Sequence, residues 1–309
     1  MNVQDILSPA GPHAGHILNL WQVTLGICLL VFVLVLAAFF YALWRGSKGG
    51  ASPRLAPAAV ISALVVSTFG LLFLIVASVS TDRALAKLPE DNPLTIEVTG
   101  HQWWWDVRYL DEEPSRLFTT ANEIHIPVGR PVAVKLKADD VIHSFWAPNL
   151  AGKKDLIPGR EATLTLLAQK PGIYRGQCAE FCGAQHAKMA FQVFADPPEQ
   201  YEAWAEQQRK PAAEPADAAQ KRGREVFEQG TCAMCHAIQG SKANARHAPD
   251  LTHLASRATL AAGTVPNTRG HLAGWIIDPH SIKPGVNMPS NALAPDDLQA
   301  LLAFLGSLK

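Results

Sequence analysis

Cys178-Ala-Glu-Phe-Cys182-Gly-Ala-Gln-His186-Ala-Lys-Met189 sets two thiols, an imidazole and a thioether at intervals of four, four and three residues. Thiolate, imidazole and thioether are soft or borderline donors, the set that selects copper or zinc over magnesium or calcium. At that spacing one tight loop can curl around a metal, and His143, in Val141-Ile-His-Ser-Phe-Trp146, is the obvious further donor. A disulfide between Cys178 and Cys182 would leave His186 and Met189 at ligand spacing without a reason. Zinc held by two cysteines and two histidines is a rival, but zinc gains little from a thioether, so Met189 favours copper. A mononuclear blue-copper site uses one cysteine, two histidines and a weak methionine. This loop has one cysteine too many.

Outward from the loop, residues 94–99, 122–127, 132–137, 163–166 and 191–194 alternate apolar and polar side chains between Pro, Gly and Asp turn signals. Period two of this kind predicts short half-buried strands, hence a sandwich or barrel. The metal loop falls between a strand near Ile173 and one at 190–194, where paired strands can hold a site rigidly.

The chain has 309 residues, enough for two or three domains, and 27 basic residues balance 27 acidic ones. No segment is basic enough to suggest nucleic acid. Of the five cysteines, four fall into two close pairs, a spacing that suggests cofactors more than a disulfide framework. Residues 17–44 and 55–81 contain no charged side chain, and each run is long enough for the ~20 residues of a membrane crossing. Arg45, Lys48 and Arg54 between them predict a cytoplasmic loop, with both termini on the opposite side. A cleaved signal peptide fits the first run poorly, since it starts late and lacks a basic leader. Cys28 reads as a buried apolar filler. Trp21, Tyr41 and Trp44 fit interfacial belts, and no ionisable residue lies deep in either span, so the hairpin predicts an anchor without an ion path.

Downstream, residues 197–210 read as a helix and 211–217 as a Pro/Ala linker. Cys232-Ala-Met-Cys235-His236 then carries the C-x-x-C-H pattern of c-type haem attachment, two thiols for the vinyl groups and a histidine for iron. A thioredoxin-like dithiol would require neither His236 nor a later methionine. Met288, in Lys283-Pro-Gly-Val-Asn-Met-Pro289, is the candidate sixth ligand, whereas Met234 inside the attachment turn cannot reach across the haem face. His247, His253, His271 and His280 read as surface histidines. Residues 294–305 predict a closing amphipathic helix with acids in its first turn.

Gly100-His-Gln-Trp-Trp-Trp-Asp106, Asp140-Val-Ile-His-Ser-Phe-Trp146, Ile157-Pro-Gly-Arg160 and Gly176-Gln-Cys-Ala-Glu-Phe-Cys-Gly-Ala-Gln-His-Ala-Lys-Met189 together resemble subunit II of the haem-copper cytochrome c oxidases. The downstream domain resembles small class I cytochromes c, including the stretch Ala248-Pro-Asp-Leu-Thr252, and together they look like the fused subunit II of a caa3-type oxidase. The resemblance implies a multidomain membrane protein. Its parts would be a transmembrane hairpin in 1–90, an all-β cupredoxin domain in 91–196, a helix and linker in 197–217, and an all-α class I cytochrome c domain in 218–309. It implies that Cys178 and Cys182 bridge the dinuclear copper centre CuA, that His143 and His186 each bind one copper, and that Met189 and the Glu180 carbonyl complete the pair. The Glu180 side chain would reach magnesium or manganese at the subunit I interface. Cys232, Cys235, His236 and Met288 would hold haem c.

By the same resemblance, Trp103 matches the surface tryptophan that receives electrons from cytochrome c, and Arg160 and Asp155 are structural partners beneath the loop. Asp111 to Glu113 could form part of a docking face. The implied function is electron input: from cytochrome c or another periplasmic donor through haem c and CuA to subunit I, where oxygen is reduced with proton translocation. Subunits I and III are the implied partners, and both redox domains would lie on the outer face of a bacterial inner membrane. The stretch Ser52-Pro-Arg-Leu-Ala-Pro57 lacks the acid found there in many family members, so no proton-entry carboxylate is assigned. A CuA-type nitric oxide reductase subunit and a membrane-anchored copper carrier or redox sensor are the alternatives; a copper-free quinol oxidase subunit is opposed by the intact ligand set. Tethering at roughly millimolar local concentration predicts a weak, mobile contact between the two redox domains.

Overall fold

The computed structural model describes residues 2–46, 55–86 and 93–309. Lys48, Arg54 and residues 52–53, used above for topology and for the missing acid, lie outside them. In β2 (Leu94–His101) burial alternates with the sequence: Ile96, Val98 and Gly100 are buried, while Thr95, Glu97 and Thr99 are partly exposed. That pattern repeats in β3 (Trp104–Leu110) and β6 (Val132–Ala138) and makes one face of a sheet apolar. The sheet runs β4 (Phe118–Ala121), β3, β2, β6, β9 (Ala162–Leu166). A second sheet runs β5 (Glu123–Pro127), β11 (Ala190–Asp196), β10 (Gly172–Cys178), β7 (His143–Trp146), β8 (Lys154–Leu156). The pairings of β2 with β6 and of β5 with β11 are parallel, which requires chain crossings between sheets rather than simple hairpins. Trp105, Val107, Ile124, Val134, Leu136, Phe145 and Phe191 fill the space between the sheets and are fully buried.

The segment Met1–Pro12, assigned from sequence to the hairpin, clusters with this sandwich instead. Its strand β1 (Asn2–Val3) pairs parallel with β10. The Asn149 side chain accepts from Asp5 N at 3.1 Å and donates to Asp5 O and Ser8 O at 2.9 and 2.8 Å. These polar bonds have no hydropathy signature.

Helices α1 (Pro12–Arg45) and α2 (Leu55–Leu85) form the other unit. His13 meets the Leu85 carbonyl at 3.3 Å, so the start of α1 lies beside the end of α2. In α1 only His13 and Ala14 are buried within the structure, and leucines, valines and phenylalanines point outward along both helices. Apolar all round and left uncovered by the other described residues, they suit a bilayer, where helices satisfy their own backbone. Cys28, expected to be buried, lies on an exposed face.

Helix α3 (Pro198–Gln208) caps the sandwich by inserting Tyr201 and Ala205 into its core and stacking Trp204 on His125 at 4.0 Å. The C-terminal part is helical: α4 (Ala218–Gln229), α5 (Arg269–Ile277), α6 (Pro279–Ile282) and α7 (Pro295–Leu305), with a short hairpin of β12 (Thr259–Leu260) and β13 (Val265–Pro266). Asp217 caps α4 by accepting from Gln220 N at 2.8 Å. Phe227 of α4 and Leu301, Phe304 and Leu305 of α7 share a separate core with Leu272 and Ile276.

Candidate metal and haem sites

Strand β10 delivers Cys178 to the end of the sandwich, and β7, paired with it through Cys178 and Phe145, delivers His143. The loop then folds back: Cys178 N donates to Met189 O at 2.8 Å and Ala179 N to Ser144 O at 2.9 Å. A short 3-10 turn, His186–Lys188, brings the second imidazole round. The two thiol sulfurs stand 3.7 Å apart, without a disulfide. Cys178 Sγ lies 3.9 Å from His143 Nδ1 and 3.2 Å from the Glu180 carbonyl. Cys182 Sγ lies 3.6 Å from His186 Nδ1 and 3.8 Å from Met189 Sδ. Each sulfur therefore has its own imidazole, and one weak donor faces each: a carbonyl on one side and a thioether on the other. His143, Cys178, Cys182 and Met189 are buried.

Several groups hold this arrangement. His143 Nε2 donates to Asp140 Oδ1 at 2.8 Å, which fixes the ring and leaves Nδ1 free toward the sulfur, as metal-binding histidines require. Asp140 is itself held by the backbone amides of Gln102 and Val141, both at 2.6 Å. Any Cβ on Gly100 would come within 2.8 Å of His143 Cδ2, so the ring needs glycine beneath it. The hydrogen bond with Cys182 holds the Cys178 thiol well below its ordinary pKa against the opposing effect of burial, and the pair readily presents a thiolate. Two thiols, two imidazoles, a thioether and a carbonyl converging on one buried spot suit a pair of soft metal ions better than one.

Of the second cysteine pair, Cys232 lies in a 3-10 turn, Thr231–Met234, and Cys235 directly follows it, with His236 N donating back to Cys232 O at 3.0 Å. His236 Nδ1 donates to Pro249 O at 2.7 Å, leaving Nε2 as the free nitrogen. Pro249 belongs to the stretch beside the histidine picked out from sequence. Cys232 and Cys235 are not joined in a disulfide, and Met234 between them is 70% exposed and turned away from the haem-domain core. Met288 is half-buried in the turn after α6. His247, His271 and His280 are exposed. His253, expected at the surface, is buried, with its ring nitrogens facing Lys309 O at 2.8 Å and Lys210 O at 3.0 Å, so it ties the linker to the C-terminus.

Residues 109–195 match the family model for the periplasmic domain of cytochrome c oxidase subunit II, and residues 220–309 match that for cytochrome c. Cytochrome c oxidase subunit 2 of Alkalihalophilus pseudofirmus is 35% identical over 98% of this chain and 90% of its own length. The chain belongs to the cytochrome c oxidase subunit II family. The Bacillus subtilis subunit 2 is 29% identical over 98% of this chain and 91% of its own length. A crystal structure of the periplasmic domain of subunit II from Bradyrhizobium japonicum is 31% identical, covering 40% of this chain and 96% of that one, with a TM-score of 0.37. Membership makes this subunit II one part of an oxidoreductase complex, anchored to the membrane and working with other oxidase subunits. Its two matched domains imply copper and haem c, and both donor sets described above fit those groups.

Some expectations for this subunit II meet a different geometry. Trp103 is 8% exposed rather than superficial: its Nε1 donates to Cys182 O at 2.9 Å and its carbonyl accepts from Lys283 Nζ at 2.9 Å. Asp155 and Arg160 are exposed, and no ion pair joins them among the described residues. Asp111 pairs with Arg116 at 3.2 Å on an exposed turn. The contact between the redox domains is also more specific than a loose tether predicts. Glu123 of β5, almost fully buried, accepts from Ala258 N and Thr259 N at 2.8 and 3.2 Å, and Ala190 N donates to Ala262 O at 3.0 Å. With the linker already removing most of the entropy of association, a few polar bonds suffice to seat the domains. Asp140, Glu123 and Lys283 escaped the sequence reading; only Asp140, three residues before His143, carried a signal there.

Proposed function

We propose that this subunit carries electrons from haem c, held by Cys232, Cys235, His236 and Met288, to CuA, held by Cys178, Cys182, His143, His186, Met189 and the Glu180 carbonyl. From there they pass to subunit I of the oxidase for reduction of oxygen. The observation that carries this is the paired geometry of the loop, two sulfurs 3.7 Å apart with a separate imidazole near each. A pair of coppers held by these donors would supply a one-electron carrier with the charge shared between the metals, so each ligand bond would change little on reduction. The chain's part is to keep those donors still: Asp140 fixes His143, the strand pair β10–β11 fixes Cys178 and Met189, and burial excludes water. His236 is held similarly by Pro249.

Trp103 lies between the two domains, which supports entry of electrons through the fused haem rather than by an outside protein docking on Trp103. The Glu180 carbonyl faces Cys178, and its half-buried carboxylate is free to meet magnesium or manganese at subunit I. Both redox domains lie on the outer side of the membrane, with the loop between α1 and α2 inside. Metal and haem analysis of the purified chain tests the reading: two coppers and one covalent haem per chain are expected. One metal, or zinc, in the loop would sink it.

A further inference from the structure

Lys283 is 1% exposed, among the largest fully buried side chains of the protein. Its ammonium donates to Trp103 O at 2.9 Å and to Ala261 O at 3.2 Å, one carbonyl from each redox domain. A buried lysine is costly unless its head is paired, and burial, with Lys188 adding repulsion, pushes its pKa down to about 7. An apolar side chain would fill the seam without that cost, so the head must supply direction rather than bulk.

Lys283 also sits at the base of the turn that carries Met288. Its backbone N donates to Pro279 O at 2.8 Å and its O accepts from Val286 N at 3.1 Å. Around it the turn is stitched to the copper loop. Gln185 Nε2 donates to Pro284 O at 2.6 Å, Lys188 Nζ to Ile282 O, and Asn287 Nδ2 to Gln102 O at 3.2 Å. Behind Trp103, its indole and the Gln102 side chain both donate to Cys182 O, at 2.9 and 2.8 Å. From the Met288 turn to the thiol-bearing residue Cys182 two chains of bonds run side by side, one through Asn287 and Gln102 at the exposed rim and one through Lys283 and Trp103, which is the buried and charged one. The Glu123 anchor lies on another part of the haem domain, at Ala258 and Thr259.

We propose that Lys283 is a positioning residue that seats the Met288 turn on Trp103 and the copper loop, fixing the geometry of electron transfer between the two domains. The idea rests on the electron path proposed above. Transfer there is a one-electron exchange, iron oxidised and the copper pair reduced, with no bond made and no proton moved. Lys283 therefore acts only through position, while Glu123 keeps the domains together if the seat is lost.

The test uses the full-length chain within the purified oxidase, comparing wild type with Lys283→Met and Glu123→Gln. Lys283→Met should speed hydrogen exchange at residues 101–104, 182–190 and 282–288 by about tenfold, the weight of one charge-assisted hydrogen bond. Haem-to-copper transfer after flash reduction should slow by about tenfold or more, as small misplacements do, with the copper and haem spectra unchanged. Glu123→Gln should instead move exchange at 258–260 and leave 282–288 as it was. Unchanged exchange and transfer rate in Lys283→Met would overturn the proposal. In the wild type, which needs no variant to fold, Lys283 should resist acetylation at least about tenfold more than the exposed Lys154; equal labelling would also overturn it. Absence of copper or haem would refute the electron path instead, and the exchange and labelling results would still decide whether Lys283 is the seat.

Discussion

Gly176→Ala probes the packing that aims Cys178. Gly176 faces Phe191 across the β10–β11 pair, and an added Cβ would lie 2.1 Å from Phe191 Cζ, 2.3 Å from Cε2 and 2.7 Å from Cε1. Carbon atoms rest at about 3.5–4 Å, so the ring would have to retreat by more than about 1 Å. It has nowhere to go, because Phe191 is fully buried, stacked on Phe145 at 4.3 Å and edge-on to Trp105 at 5.4 Å. Overpacking of this kind costs about 1–3 kcal/mol, and three coupled rings favour the upper end. For a domain of this size that is a fall in Tm of about 5–10 °C. Thermal unfolding of the detergent-solubilised chain, followed by circular dichroism, measures it, and the copper absorption should shift because Cys178 lies two residues along the same strand. Phe191→Leu in the same chain removes the clash, so the double variant should recover at least about 1 kcal/mol relative to the sum of the single effects. Strict additivity, or an unperturbed Gly176→Ala, would refute the packing argument.

Two further outcomes are expected. Asp140→Asn removes the carboxylate that orients His143 and should weaken copper affinity about 10–100-fold in a chelator competition titration, with the fold unchanged by circular dichroism; equal affinity would show that Asp140 does not hold the ligand. Burial raises the Asp106 pKa from 3.8 to about 6. Its native value lies above the unfolded one, so wild-type stability is present at low pH and lost as pH rises through about 6. Asp106→Asn should therefore be more stable than wild type at pH 7 by up to about 3 kcal/mol, the gain shrinking as pH falls toward 4. Melting curves across that range check the sign.

Much of this was legible in the sequence because its chemistry is local. Donor spacing in residues 178–189 and the pattern at 232–236 mark the two sites, and uncharged runs mark the two helices. Period two marked β2 and β6, while β7 and β8, three or four residues each and partly exposed at their edges, are too short to show it. What escaped depends on contacts between residues far apart in the chain. Lys283 looks like any lysine before Pro-Gly until it is found beneath Trp103. Glu123 reads as the polar half of an alternating strand, yet it binds backbone amides of the haem domain. The Asn149 bonds that draw the N-terminal segment onto the sandwich have no periodicity to announce them.

The central claim is that the 178–189 loop holds two coppers acting as one redox unit. Electron paramagnetic resonance of the oxidised, copper-loaded chain tests it most directly. The account predicts one unpaired electron coupled equally to two copper nuclei, lost on reduction by a single electron. A signal confined to one copper nucleus, or two independent copper signals, would contradict it.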